Sequence, residues 1–137
     1  MRASDRYSAQ ATIELALVVP GLLLGLFLIT AVGLVARADG EVAGVAVEAA
    51  RAGALVSSAA DVEQAATDRA TAVATAYGMT FQRLNVTVDA SHFRRGGSVR
   101  VEVTYQLPLD SVPLIGWGTI QLQHQAVEPV DSFRSLP

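Results

Sequence analysis

Between Leu15 and Ala36 the chain carries no charged residue, and the residue directly ahead of that run is Glu14. As a helix the run spans roughly 33 Å at about 1.5 Å per residue, enough for the roughly 30 Å hydrocarbon core of a bilayer. A carboxylate at the mouth of such a helix is costly if drawn inward, so an acid in that position asks for a reason. A hydrophilic leader, residues 1–9 with Arg2 and Arg6, precedes it. The expectation is a membrane helix over residues 10–36, starting near Ala11, in a single-pass protein of the cytoplasmic (inner) membrane. The short, acid-poor leader places the N-terminus in the cytoplasm and the C-terminal domain outside.

The rest of the chain bounds what else can be present. With 137 residues, there is room for one small domain besides the membrane segment. A formal charge of −3 argues against nucleic acid as a partner, because phosphate binding needs a basic surface. There is no cysteine, hence no disulfide and no thiol chemistry. All ten basic residues are arginine, which together with the alanine content points to a GC-rich bacterial coding bias.

Within the apolar run, Pro20 removes one backbone donor and is expected to kink the helix. Gly21 and Gly25 form a small-xxx-small pair that lets another helix approach closely. Small residues recur at Gly40 and Gly44, then at Ala49 and Gly53, and suit lateral packing against neighbouring chains. Residues 37–80 read as helical packing segments, with the membrane helix continuing past the bilayer through Val42, Val45, Ala49 and Ala52. Arg37/Glu41 and Glu48/Arg51 stand at ion-pairing spacing, with a break expected near Val56 to Ala60. Ser58 followed by Asp61 resembles a capping box. A second, amphipathic helix follows from about Ala59 to Tyr77, its stripe Val62, Ala66, Ala70, Val73 and Tyr77, with Gly78 as the stop.

From Leu84 the period changes to two. Leu84, Val86 and Val88, then Val99 through Leu107, then Ile120, Leu122 and His124 each alternate with polar residues, as half-buried strands do. Arg94-Arg95-Gly96-Gly97 reads as a hairpin turn, Pro108 to Gly118 as a loop, and Glu128 to Pro137 as a frayed tail after one last extended stretch. The fold class is α+β: a long N-terminal transmembrane helix, a second amphipathic helix and a small antiparallel sheet of three to four strands over residues 81–137.

The stretch Ser8-Ala9-Gln10-Ala11-Thr12-Ile13-Glu14-Leu15-Ala16-Leu17-Val18-Val19-Pro20 resembles the N-terminus of TadE-like proteins, pseudopilins of the Tad branch of type IV pilus systems. Glu48-Ala49-Ala50-Arg51-Ala52-Gly53-Ala54 and the strand from Gly97 to Tyr105 fit the same family. The resemblance implies a pilin-like fold and cleavage between Ala9 and Gln10 by a prepilin-type peptidase, with Ala9 standing where the family usually has glycine. Glu14 then pairs with the fresh α-amine of a neighbouring subunit. In low dielectric such a pair is strong, but desolvation takes back a large share, so it serves as a register device. Glu14, Pro20, Gly21 and Gly25 are the assembly residues. The implied partners are other pilins or pseudopilins, the peptidase, the inner-membrane pilus assembly platform and membrane lipid.

Three alternatives compete. Ala36-Arg37-Ala38 is an A-x-A pattern, and signal-peptidase cleavage after Ala38 would release a secreted soluble domain; against it, signal h-regions run only about 7 to 15 residues. The chain could also be a membrane-anchored subunit of another envelope complex. An enzyme or zinc site would have to use His92 and His124, with Asp89 and Ser91 nearby, yet no HExxH, GxSxG or glycine-rich phosphate loop is present. Neither catalysis nor a cofactor is expected. Trp117, between Gly116 and Gly118, is expected to plug the open end of the sheet, with a partner contact as the other possibility.

Overall fold

A computed structural model describes residues 3–110 and 116–132, with side chains from residue 13 onward. One helix, α1 (Ala3–Leu55), takes up 53 residues and runs through Pro20, a length of roughly 80 Å. It corrects one expected boundary. The helix begins at Ala3 rather than near Ala11, so the leader's backbone is already helical. Its far end agrees with expectation: the helix continues past Arg37 and stops at Leu55, next to the break expected near Val56. Past the apolar run, the Arg37 Nε donates to Glu41 Oε1 at 2.7 Å, an i,i+4 pair that favours continued helix. Residues Ala38, Val42, Val45, Ala46 and Ala49 also form a buried stripe at helical spacing.

After α1 the chain turns. Ser58 caps the 3₁₀ turn Ala59–Asp61 by accepting from the Ala60 amide at 3.2 Å, which satisfies one of the donors a helix start leaves open. Helix α2 (Val62–Ala76) follows, burying Val62, Ala66, Ala70 and Ala74. Ala74 continues the stripe in place of Tyr77, which is 46% exposed. The end of α2 is a Schellman motif: Gly78, at φ +77, donates to Thr75 O and Met79 donates to Ala74 O, both at 2.9 Å.

Strands β1 (Leu84–Asp89), β2 (Ser98–Pro108) and β3 (Thr119–Pro129) form one antiparallel sheet in the order β1-β2-β3. Its rows pair Val86 with Val103 and His124, and Val88 with Val101 and Ala126. These rows face the helices, where Val99, Val101 and Val103 are fully buried. The opposite face carries Thr87, Glu102 and Gln125 in one row and Asn85, Thr104 and Gln123 in the next, a polar surface suited to water. β3 extends to Pro129, further than the alternation through His124 implied, and Val130 beyond it is buried.

The two helices cover one face of the sheet. Glu48 on α1 accepts from Arg69 on α2 at 2.6 Å and from Arg51 at 3.5 Å, linking the helices at their exposed seam. Gly44 and Gly53 are small for neighbours in the same chain. A methyl group on Gly44 would lie 3.4 Å from the Tyr77 hydroxyl, and one on Gly53 would lie 3.2 Å from Val99. The expectation that these glycines serve neighbouring chains is thus replaced by an internal role.

In the β1–β2 turn the backbone leaves no room for a side chain at Gly97. Ser98 donates to the His92 carbonyl at 3.1 Å, and a Cβ on Gly97 would collide with that oxygen. Gly97→Ala is expected to destabilise the domain by about 2–3 kcal/mol, because backbone rather than a flexible side chain must move. Thermal unfolding of the variant against the parent chain in the same detergent measures it; an unchanged midpoint would contradict the close approach. On the β1 side of this turn, the Ser91 hydroxyl and amide hold the Asp89 carboxyl below its ordinary range.

Candidate functional site

From Ile13 to Ile29, α1 presents large apolar side chains that stay exposed among the described residues. Leu17 is 79% exposed and Ile29 71%. This is a candidate membrane span by length and composition. A continuous exposed apolar surface of this extent calls for a lipid or protein partner. The one hydroxyl deep in the run, that of Thr30, donates back to the Leu26 carbonyl at 2.9 Å. It thereby avoids an unmet polar group in an apolar surrounding.

Glu14 is exposed at the N-terminal end of this surface. Gly21 and Gly25 follow it by seven and eleven residues, which at about 100° per residue places all three within roughly 20° of one line along the helix. A methyl group on Gly21 or on Gly25 would meet nothing within 4 Å. The carboxylate and the bare backbone groove therefore share one face, a juxtaposition that the helix period creates. Pro20, inside the unbroken helix, leaves the Ala16 carbonyl without its usual donor. The backbone at Ala9 and Gln10 is helical; their side chains lie outside the described residues.

The apolar surface meets the sheet at a junction. Ala31, Val32, Val35, Ala36 and Asp39 line an open cavity of about 390 Å³ with Leu109 and Ile120. At its upper edge His124 Nε2 and Asp39 Oδ1 are 2.8 Å apart, tying β3 to α1 just beyond the uncharged run. The period-two alternation already put His124 in phase with buried Leu122, but its partner stands 85 residues away in sequence. No local signal could name Asp39.

The histidines are not brought together. His124 pairs in register with Val103, whereas the His92 carbonyl binds Ser98, a separation of roughly 17 Å along β2 at about 3.4 Å per residue. The Ser91 hydroxyl lies 2.9 Å from His92 Nδ1, while Asp89 accepts from the Ser91 amide rather than orienting the ring. No nucleophile–base–carboxylate relay results. Trp117 does not plug the sheet: it is 81% exposed, and this overturns the expectation drawn from its sequence position. Pro113, in the same loop, lies outside the described residues.

The fold is α+β, with a long apolar N-terminal helix, a second helix and a three-stranded antiparallel sheet. Compared with known proteins, the chain matches no family model, no curated protein and no solved structure.

Proposed function

We propose that this chain is a minor pilin-like subunit, a pseudopilin of the Tad type, that helps assemble or prime a pilus. It is held by a single membrane helix and acts through helix and sheet contacts. The observation that carries the reading is the division of labour along α1. Its first half offers an uncovered apolar surface with Glu14, Gly21 and Gly25 on one line, and its second half is built into a small sheet domain. A carboxylate at the membrane-side end of a groove that accepts a helix is what pairing with a neighbour's α-amine requires. The resemblance of residues 8–20 to TadE-like leaders supports cleavage between Ala9 and Gln10. The N-terminus then lies on the cytoplasmic side, and the sheet domain outside.

The secreted-domain alternative is disfavoured by packing. Ala38 is 6% exposed within the core, and the helix continues through the A-x-A pattern without a break. Cleavage there would cut a structured helix and remove a core residue. An anchored subunit of another envelope complex would use the same surfaces without the processing step.

Intact mass and N-terminal sequencing of the protein recovered from membranes test the proposal. A chain beginning at Gln10 is the expected result. A chain beginning at Asp39 would overturn membrane retention, and one beginning at Met1 would remove the processing step and leave only an anchored subunit.

A further inference from the structure

α1 and β2 run in opposite senses where they pack. Toward the helix C-terminus, Gly53 lies against Val99 at the start of β2. Toward the apolar run, Leu34 and Ala38 share a groove with Tyr105 and Leu107, and Ala31 and Val32 share the neighbouring cavity with Leu109 and Ile120. The β2–β3 end of the sheet therefore stands beside the last turns of the uncharged run. At about 1.5 Å per residue, Ala31 lies roughly 7–8 Å below Ala36 along the axis. If the run crosses a bilayer, Leu109 and Ile120 reach the level of the headgroup–acyl boundary.

The two ends of the sheet differ in chemistry accordingly. The far turn carries Arg94 and Arg95, with Asp89 and Asp131 beside it; from Leu107 to Ile120 the only charge is Asp110. The neck of this near loop is closed by the Leu109 amide donating to Gly118 O at 3.0 Å. Gly116 and Gly118, at φ +58 and +98, flank Trp117, whose ring is left 81% exposed. Tryptophan, apolar in body with one N–H donor, is the side chain most at home where acyl chains meet headgroups.

We infer that the β2–β3 end of the sheet is a second membrane contact, with Trp117 seated at headgroup level and a phospholipid acyl chain filling the cavity between α1, Leu109 and Ile120. The inference rests on the reading of α1 as a membrane span. The contact fixes the tilt and rotation of the domain on the bilayer, and so presents the polar sheet face and the arginine turn outward.

Trp117 is the chain's single tryptophan, so its fluorescence reports this site alone. The full chain would be reconstituted in phosphatidylcholine–phosphatidylglycerol vesicles containing nitroxide-labelled phospholipids, with the quencher placed shallow or deep. The expected result is emission shifted to the blue of solvated indole and a greater loss of intensity with the shallow label than with the deep one. Solvated emission untouched by either label would overturn the inference. A blue shift without lipid quenching would also overturn it, because a protein surface, such as a second copy, then covers the ring. A Trp117→Phe, Leu24→Trp variant keeps the two readings apart. Its indole is quenched most by the deep label if α1 spans. Quenching at position 24 but not at 117 rejects the second contact alone; quenching at neither position rejects the span and the contact with it.

Discussion

Val45→Asp is expected to unfold the helix–sheet domain while leaving the apolar half of α1 helical. Val45 is fully buried, between Val42 and Ala49 on the α1 face that meets the sheet. The core is mostly valine and alanine, with Met79, Tyr105 and Leu122, and holds no buried charged side chain among the described residues. A carboxylate there has no donor and no counter-charge, and burying one costs several kcal/mol even after the group protonates. A loss above about 4 kcal/mol is a large part of the roughly 5–15 kcal/mol that a domain possesses. Limited proteolysis in detergent should show rapid loss of the region beyond α1. The control is Val47→Asp, two positions along, where the side chain is 44% exposed. It should change stability by no more than about 0.5 kcal/mol. Equal resistance of the Val45 variant and the parent chain would mean that α1 does not form the core wall described.

Glu14→Ala is expected to abolish assembly into filaments and the adhesion that depends on them, with the amount of membrane-inserted chain unchanged. Glu14 is exposed at the end of the apolar surface, where a neighbouring subunit can reach it. Removing one partner of a desolvated ion pair costs about 3–5 kcal/mol, on the order of a hundredfold or more in an association constant. Glu14→Gln keeps the shape and removes the charge, and the same loss is expected from it. Filament yield from sheared cells and surface adhesion would measure both variants. Normal filaments from either would reject the pairing with a neighbour's α-amine, leaving a glutamate that merely sits at the membrane surface.

Much of the architecture is local in origin and therefore legible along the chain. The uncharged run, the period-two alternation of the three strands and the stop at Gly78 each arise from neighbours a few residues apart. So does the line joining Glu14, Gly21 and Gly25, which only needs the helical period. The continuation of α1 past Arg37 is legible as well, because Val42, Val45 and Ala49 recur at helical spacing and are buried. Misreadings occur where local cues compete with packing. Tyr77 stands at the end of the expected α2 stripe, yet Ala74 is the residue buried there, while the half-exposed Tyr77 lays its ring over Gly44 of α1.

What the sequence by itself determined is the division into an apolar helix, a shorter helix and three strands, together with which strand face is apolar. Periodicity and the absence of charge act residue by residue and survive without tertiary context. Which surfaces meet was decided by the tertiary structure. Asp39 reaches His124 across 85 residues, Gly44 and Gly53 serve their own chain, and Trp117 is left exposed instead of plugging the sheet. The physical reason is that contact energy depends on the distance between groups in space, and sequence separation carries no information about that distance once the chain has turned back on itself.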